Sequence, residues 1–447
     1  MENLIRLLTG LIILGLITSC EGFLDPKPDQ SLVVPDKLED VRALLDNINI
    51  FNKQPVLTSL SSDEFQATDA GFNSLNEIEQ YTYSWSETPY PVPSVDDWNL
   101  PYSQVFYANV ALEALENLDP AGEEYAKLKG EALFHRSHAY YHLLQQFAPA
   151  YNENGGNENQ LGIVLKESPD INEPAFRATL AESYDRIVSD LEEAVDLLPD
   201  SQLPKTRPTK AVALGLLGRI YLNMFNFEKA TAVAEQALEI YTDRLDFNLI
   251  DVNAASPFTG FGPEMLFYSE VLAYGFQFSR EINLDTMLLK TYSEGDLRLP
   301  AYFDLVVDNR YYFAGKLTGN ALVFGGLSVG ELQLIAAEGN VRIGNDAKAR
   351  YWINELLSRR IKADNFSPIE SSGNELLEKI LEERKKELVG RGIRWSDLRR
   401  LNQEPGFQVS ISRSVNGSVL TLVPNSDQYV FLIPDSEIQR TGITQNR

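Results

Sequence analysis

The sequence predicts a mainly α fold, and three observations predict it. Apolar residues recur with a period close to 3.6 in several long stretches, as they do in amphipathic helices. One of these stretches carries the residue pattern of a helix-pair repeat. The composition is that of a globular protein, with 44% hydrophobic and 23% charged residues in 447. The chain can therefore bury a large helical core.

Two amphipathic helices are read directly from the spacing. The first is predicted over residues 123–147, where apolar side chains recur along one face. The second is predicted over residues 180–198, where the apolar stripe is cleaner. Thr179 and Pro199 stand at its two ends as N-cap and stop signal.

The stretch 208–241 predicts a tetratricopeptide-like helix pair. Leu217-Gly218-Arg219-Ile220-Tyr221 has the L-G-x-x-Y pattern of the first helix, and Phe227, Ala230, Ala237 and Leu238 follow at the spacing of the second. We expect Gly218 and Ala230 to let the two helices approach closely. A weaker copy runs over residues 332–359. Since one helix pair cannot bury its own apolar face, several must stack, which predicts a helical-repeat core.

Two stretches interrupt this pattern. Residues 52–100 are dense in Ser, Asp, Tyr and Trp and are predicted to be long surface loops. Residues 245–325 lose the helical period and are rich in Gly and aromatic residues, with a short alternation at 321–324 that is compatible with a strand. Long insertions between repeats are usually functional surfaces, so we expect an irregular, loop-rich ligand-binding face.

The N-terminus has the make-up of a lipoprotein signal. Arg6 precedes an apolar run over residues 7–17, and Thr18-Ser19-Cys20 follows. The run is too short to span a bilayer and is typical of a cleaved export signal, with Cys20 as the lipid attachment site. Cys20 is the only cysteine, so an intramolecular disulfide is impossible. The proline-bearing stretch after it is predicted to be a tether.

The charge balance restricts the partners. The chain has 39 basic and 64 acidic residues and a formal net charge of -25. Such a charge opposes binding to nucleic acid or to anionic lipid headgroups. A neutral or cationic ligand fits better, although a local basic pocket could overrule the global sum.

The order of segments resembles the SusD/RagB family of outer-membrane, nutrient-binding lipoproteins. The segments that carry the resemblance are Phe23-Leu24-Asp25 after the lipobox cysteine, Gly130-Glu131-Ala132 with Arg136, Tyr140 and Tyr141, Asp190-Leu191-Glu192-Glu193-Ala194, Arg207-Pro208-Thr209-Lys210 with Tyr221-Leu222, Ala336-Ala337-Glu338, Glu382-Glu383-Arg384 through Arg394-Trp395 and Asp397-Leu398, and Ile433-Pro434 with Glu437-Ile438. Each is short, but their order extends over nearly the whole chain.

The resemblance implies an architecture and a role. It implies four tetratricopeptide-like units and a variable ligand-binding face that sits as a lid on a TonB-dependent, SusC-like transporter. Such proteins capture glycans, or less often peptides, and have neither catalytic activity nor a cofactor. For this chain we expect a signal peptide over 1–19, a tether over 20–36 and a single SusD-like domain over 37–447. Within that domain we expect repeat helices over about 101–241 and 328–400 and the binding face over about 52–100 and 245–325. The expected location is the outer membrane, lipid-anchored and facing the cell exterior.

The resemblance also places the ligand site on the loops before the first repeat helix and on the later insertion. Aromatic planes stack on the apolar faces of sugar rings, and flanking polar groups bind hydroxyls. The residues in those stretches that suit this chemistry are Phe72, Asn73, Tyr81, Tyr83, Trp85, Tyr274, Arg280 and Tyr311. The alternative is that these aromatic residues pack the loops onto the helices.

Other groups are interpreted as structural. Trp98 and Trp395 are expected to pack in the core, and Glu383, Arg384, Glu387 and Arg399 are expected to form compensating ion pairs. The three histidines, His135, His138 and His142, lie at helical spacing on one side of a helix. That spacing is compatible with zinc, but we expect buried rings and no metal.

Two other functional classes stay open. A glycan-active enzyme would need two carboxylates at a cleft, and no G-x-S-x-G, H-E-x-x-H or phosphate-binding motif occurs. A repeat adaptor would bind only protein in its concave groove, but it would not need the aromatic insertion. The leading hypothesis is therefore a surface lipoprotein that binds a glycan, with a peptide or other nutrient as the alternative cargo.

Overall fold

The computed structural model describes residues 35–88, 90, 92, 94–307 and 309–446. The predicted signal peptide, the Cys20 lipid site and almost all of the tether lie outside the described residues. The chain from Asp36 onward forms one compact unit. Among the described residues, no helix has the length and apolar character needed to cross a bilayer.

Seventeen α-helices occur in this part of the chain. The first five are short: α1 (Leu38–Leu45), α2 (Ile48–Phe51), α3 (Leu57–Ser61), α4 (Asp69–Ser74) and α5 (Glu77–Tyr83). Longer helices follow: α6 (Asp96–Glu116), α7 (Glu123–Phe147), α8 (Leu180–Leu197), α9 (Lys210–Asn223) and α10 (Phe227–Ile240). The remainder are α11 (Thr286–Leu289), α12 (Arg298–Tyr302), α13 (Val329–Arg342), α14 (Asp346–Leu357), α15 (Gly373–Glu387), α16 (Arg394–Leu401) and α17 (Asp435–Thr441).

The long helices stack in chain order. Each of α6 to α9 packs against the next, α10 packs against α13 across the insertion, and α13 packs against α14 and α15. The predicted helix pair at 208–241 corresponds to α9 and α10, and its weaker copy corresponds to α13 and α14. The mainly α, helical-repeat fold is therefore confirmed.

Local signals account for several helix ends. Helix α7 has the bounds predicted from its periodicity. At the start of α8, the Thr179 side chain accepts from the Glu182 backbone N–H and the Glu182 carboxylate accepts from the Thr179 backbone N–H. This capping box satisfies two backbone donors that the first helical turn leaves free.

The closest helix approach lies at Gly339 rather than at Gly218. A β-carbon on Gly339 of α13 would lie 2.1 Å from the Thr231 Oγ1 atom of α10 and 3.1 Å from the Phe227 carbonyl oxygen. A β-carbon on Gly218 would meet nothing closer than 3.4 Å, which is ordinary van der Waals contact. The crossing that requires a glycine therefore joins the two halves of the repeat core.

The stretch 52–100 is not the set of long surface loops that its composition predicted. It contains β1 (Lys53–Gln54), β2 (Phe65–Ala67) and helices α3 to α5, and all five residues of α3 are buried. The physical reason is a second hydrophobic core between this stretch and the insertion. Its buried members include Val56, Leu60, Phe65, Tyr83, Phe247, Phe258, Phe276, Tyr302 and Phe303. Many of the aromatic residues in these two stretches are therefore buried in this core.

The remaining strands are short. They are β3 (Leu161–Val164), β4 (Arg177–Thr179), β5 (Met265–Phe267), β6 (Glu270–Val271), β7 (Ile282–Leu284), β8 (Phe303–Leu305), β9 (Tyr311–Phe313), β10 (Leu327–Ser328), β11 (Ile411–Val415) and β12 (Ser418–Leu422). They pair two by two, with β1 parallel to β6 and with β2–β7, β3–β4, β5–β10, β8–β9 and β11–β12 antiparallel.

The alternation at 321–324 does not form a strand. The Leu322 backbone is held in a turn, because its N–H donates to the Asn320 side chain and its carbonyl accepts from the Thr318 hydroxyl, both at 2.6 Å. The pairing of this stretch with β6 is limited to an isolated bridge between Phe324 and Glu270 and a hydrogen bond of 3.0 Å from the Val271 backbone N–H to the Val323 carbonyl. The strand that enters α13 begins three residues later, at Leu327.

Candidate ligand-binding site

The described residues of 65–85 and 274–313 meet in one surface, which we call the loop face. Strand β2 pairs with β7 in the register Phe65 with Leu284 and Ala67 with Ile282. The Glu79 carboxylate of α5 accepts from the Phe276 backbone N–H at 2.7 Å. The structure thus joins the two stretches from which the ligand site was predicted, although some 200 residues separate them in the sequence.

Tyr83 and Trp85 lie inside this surface. Tyr83 is 1% exposed and Trp85 is 5% exposed. The Arg413 guanidinium of β11 lies 3.9 Å from the centre of the Tyr83 ring and 4.3 Å from the Trp85 ring. The Trp85 indole N–H donates to the Ser61 carbonyl at 2.9 Å. These contacts give both rings a packing role.

Phe72, Asn73 and Tyr81 lie nearer to solvent. Phe72 is half-buried, with its ring 5.8 Å from that of Tyr83. Asn73 is exposed, and its amide exchanges hydrogen bonds of 3.0 and 3.1 Å with the amide of Asn416. Tyr81 is half-buried and lines a small cavity beside Trp85. Of these three, Tyr81 has the side chain best placed to meet a ligand.

Tyr274 connects the loop face to the first repeat helix. Its hydroxyl donates to the Asp97 carboxylate at 2.9 Å. That buried carboxylate also accepts from the backbone N–H groups of Val56 and Leu57 and from the Gln146 amide. Burial, together with the Asp97 charge, raises the pKa of Tyr274, so its phenol is a fixed neutral donor. Tyr274 therefore holds the insertion against α6.

Arg280 contacts Tyr312 rather than Tyr311. The exposed Arg280 guanidinium lies 5.5 Å from the centre of the Tyr312 ring, and the Tyr312 hydroxyl donates to the Gln277 carbonyl at 2.6 Å. Tyr311 is half-buried and packs against the second core. Since neighbouring strand residues point to opposite faces, β9 presents Tyr312 towards Arg280 and Tyr311 away from it.

The three histidines are core side chains. His135 and His138 are buried, and His138 and His142 share a hydrogen bond of 3.2 Å between their Nε2 atoms. Burial lowers the pKa of His135 and of His142 to about 3, so both rings are neutral at physiological pH. Within the described ranges, no group of three or more His, Cys, Asp or Glu side chains could hold a metal ion.

The charged cluster near the C-terminus forms most of the expected ion pairs. Arg298 binds Glu383 at 2.6 Å, Arg360 binds Glu387 at 3.0 Å, and Arg384 binds Asp397 at 2.8 Å. Trp395 is fully buried and stacks on Tyr429 at 4.7 Å.

Arg399 departs from that expectation. Its guanidinium donates to the backbone carbonyls of Leu144, Gln145 and Ala148 at the C-terminal end of α7. Because those carbonyls are free of intrahelical partners and carry partial negative charge, they take the place of a carboxylate.

Two residues that matter for the loop face, Tyr312 within it and Arg413 of β11 behind it, did not emerge from the sequence. Tyr312 could have been found from strand alternation beside Arg280, had β9 been recognised. Arg413 lies between Ile411 and Val415 at an inward position of β11. A buried arginine in an alternating strand indicates a specific internal partner, but nothing in the sequence shows that this partner is the pair of rings at Tyr83 and Trp85.

The fold and the loop face define a class of protein: a helical-repeat scaffold with an insertion that carries a surface rich in aromatic residues. Residues 22–222 match the family described as "Starch-binding associating with outer membrane", and residues 329–447 match the SusD family. Together these matches cover more than two thirds of the chain, which belongs to the SusD/RagB family.

Individual relatives agree with this assignment. The chain is 24% identical to SusD-like protein P2 of Formosa agariphila over 373 residues, covering 68% of this chain and 71% of that protein. A SusD superfamily protein of Bacteroides thetaiotaomicron matches with a TM-score of 0.71 and 21% identity, covering 92% of this chain and 100% of the other. The surface glycan-binding protein A of Bacteroides fluxus matches with a TM-score of 0.68 and 17% identity, covering 91% and 97%. The structural likenesses show a shared fold.

Proposed function

We propose that the protein binds a glycan on the loop face and delivers it to a TonB-dependent, SusC-like transporter of the outer membrane. The observation that carries the proposal is that the two variable stretches join in one surface beside half-exposed aromatic rings. Tyr81 and Tyr312 supply planes for the apolar faces of sugars, and the exposed Arg280 supplies paired donors for hydroxyls. The family description and the glycan-binding relative support the same ligand class.

In this proposal the predicted residues have two kinds of role. Tyr81, Arg280 and Asn73 contact the ligand or border it. Phe72, Tyr83, Trp85, Tyr274 and Tyr311 hold the surface in shape through the contacts described above. A surface fixed in this way loses little conformational entropy when a ligand binds.

The protein in this proposal is a lipid-anchored binding protein that faces the cell exterior and performs no catalysis. The mature N-terminus at Cys20 supplies the anchor, and several acyl chains together hold a protein stably on a membrane. Co-purification of the detergent-solubilised protein with a TonB-dependent barrel would support the delivery step.

The first test is calorimetric titration of the purified full-length protein with a panel of neutral and acidic glycans. We expect one glycan class to bind and to be recovered intact after prolonged incubation. Release of shortened products would indicate a glycan-active enzyme. If peptides bind and no glycan does, the proposed glycan cargo is wrong and the cargo is a peptide.

A further inference from the structure

A second pocket, of ≈630 Å³, lies beside the loop face, between the C-terminal end of α7, strands β3 and β4, helix α16 and the chain's C-terminal segment. We call it the amide pocket, because seven of its lining side chains are carboxamides, among them Asn152, Gln160, Gln403 and Gln445. Amides both donate and accept, which suits a ligand with many hydroxyls. The volume is that of a small-ligand site.

The charge of the amide pocket differs from that of the chain. Two arginines line it, Arg177 and Arg399, against a single carboxylate, Asp427. Within the part of the chain that the structure describes, both arginines donate to backbone carbonyls and neither forms an ion pair with a carboxylate. In a protein with 64 acidic residues and a net charge of -25, two such guanidiniums in one pocket are an exception.

Backbone carbonyls supply hydrogen bonds to the two arginines but not a full compensating charge. Arg177 donates to the carbonyls of Gly162, Leu161, Phe147 and Thr444, and Arg399 donates to those at the end of α7. A helix C-terminus carries only about half a negative charge, which cannot balance two guanidiniums. Burial accordingly lowers the pKa of Arg177 and lowers that of Arg399 to about 10. Arg413, by contrast, is covered by two aromatic rings and faces no such pocket.

The pocket wall also contains a polar atom without a partner. Among the described residues, the Nε atom of Arg399 is buried and forms no hydrogen bond, and Arg399 lines the amide pocket. The Tyr429 hydroxyl and the Asn402 amide, which also line the pocket, form a side-chain hydrogen bond with each other. A buried donor left unpaired is costly, so ordered water or a bound ligand near Arg399 would stabilise this wall.

The amide pocket is adjacent to the loop face. Asp427, Tyr429 and Val430 line the pocket, whereas Gln428 and Phe431 line the small cavity beside Tyr81 and Trp85. A single segment, 427–431, therefore contributes side chains to both cavities. One extended ligand could reach from one to the other across this segment.

We infer that the amide pocket binds an anionic sugar unit, carrying a carboxylate or a sulfate group, of the same glycan that the loop face binds. The inference rests on the proposed glycan binding. The two arginines supply the positive charge for the anionic group, and the carboxamides bind the ring hydroxyls. A local basic site thereby selects an acidic sugar on a protein whose overall charge repels one.

The experiment compares three probes on the full-length protein in detergent: an oligogalacturonate, a sulfated galactan oligosaccharide and an uncharged malto-oligosaccharide. Gln160→Glu places a carboxylate in the amide pocket without removing any hydrogen bond that holds the fold, and Gln236→Glu adds the same charge on the exposed face of α10. Arg177→Gln removes one guanidinium, and its melting temperature reports whether the fold survives.

We expect at least one anionic probe to bind, to weaken about tenfold in Gln160→Glu and Arg177→Gln, and to be unchanged in Gln236→Glu. The preferred anionic probe distinguishes a carboxylate from a sulfate. If neither anionic probe binds, or if Gln160→Glu binds as tightly as the parent, the inference is overturned. Uncharged sugar binding that depends on Tyr81 but not on Gln160 would leave the proposed function standing and reject the amide pocket.

Discussion

At the scale of single residues, buried ionisable groups explain how the loop face keeps its shape. Arg413 donates to the carbonyls of Leu60 and Tyr83 while its guanidinium lies against two aromatic rings. The buried Glu64 carboxylate accepts from the Gly390 backbone N–H at 3.1 Å. Both contacts join the loop face to the C-terminal part of the chain. We therefore expect substitutions of Arg413 or Glu64 to change the stability of the fold rather than the choice of ligand.

Trp85→Ala tests the packing role of the indole. We expect the free energy of unfolding to fall by about 3 kcal/mol, because the change leaves a large cavity and an unpaired Ser61 carbonyl. Chemical denaturation measures it. Tyr351→Ala, at an outer-helix residue that is 56% exposed, is the control and should change the free energy by less than about 1 kcal/mol. A loss as small for Trp85→Ala as for this control would contradict the packing role.

Glu64→Gln tests the buried carboxyl through pH. Burial raises the pKa of Glu64 to about 8. A raised folded-state pKa means that the protonated acid stabilises the fold below the unfolded pKa of about 4.3 and that this stability is lost as the pH rises through 8. Glutamine keeps an acceptor and does not titrate. Each pH unit between the two pKa values costs the wild type about 1.4 kcal/mol, so we expect the variant to gain on the order of 4 kcal/mol over the wild type between pH 5 and pH 8.

Thermal melts across that pH range provide the measurement. Glu77→Gln, at an exposed carboxylate of α5, is the matched control and should show no such trend. A difference between Glu64→Gln and the wild type that stays flat from pH 5 to pH 8 would show that Glu64 is charged in the folded protein.

At the scale of secondary-structure elements, the stack depends on close crossings and buried ion pairs between helices. Arg219 of α9 binds Glu331 of α13 through two hydrogen bonds of 2.6 and 2.7 Å. Arg400 of α16 binds Glu338 of α13 in the same way, and Gly339 lies next to it at the crossing with α10. Helix α13 is therefore the element on which the two halves of the repeat core converge.

Gly339→Ala and Gly218→Ala form a matched pair. The β-carbon of Gly339→Ala would clash with Thr231 and approach the Phe227 carbonyl, so we expect a loss of about 2 kcal/mol. The β-carbon of Gly218→Ala would meet ordinary contacts, and alanine is the better helix former, so we expect no loss or a gain of up to about 1 kcal/mol. Equal losses in denaturant titrations of the two variants would contradict this difference.

The success of sequence reasoning also varied between elements. Helices α7 and α8 were predictable to within a residue because their periodicity and caps are local. Gly218 was identified from a motif, whereas Gly339 was not, since only the path of α10 shows which glycine lies at the tight crossing. A strand was predicted at 321–324, whereas β10 lies at Leu327–Ser328. The side chains of Thr318 and Asn320 hold the Leu322 backbone in a turn, so the alternation at 321–324 does not form a strand.

At the scale of the whole molecule, long-range pairing decides where the proposed site lies. The meeting of β2 with β7 and the contact of Arg413 with Tyr83 and Trp85 join parts of the chain that no local pattern relates. The sequence therefore predicted the stretches that form the loop face, but not which of their rings reach solvent. Deleting the insertion would remove much of the second core along with the proposed site, so point variants are the sharper probes.

The most direct measurement is the affinity of the best-bound glycan for the wild type, Tyr81→Ala, Arg280→Ala and the control Tyr351→Ala. The loss of one stacking ring or of one paired donor is worth on the order of 1 kcal/mol, so we expect each of the first two variants to bind about fivefold more weakly. The control should bind as the wild type does. Unchanged affinity in both Tyr81→Ala and Arg280→Ala would contradict glycan binding at the loop face.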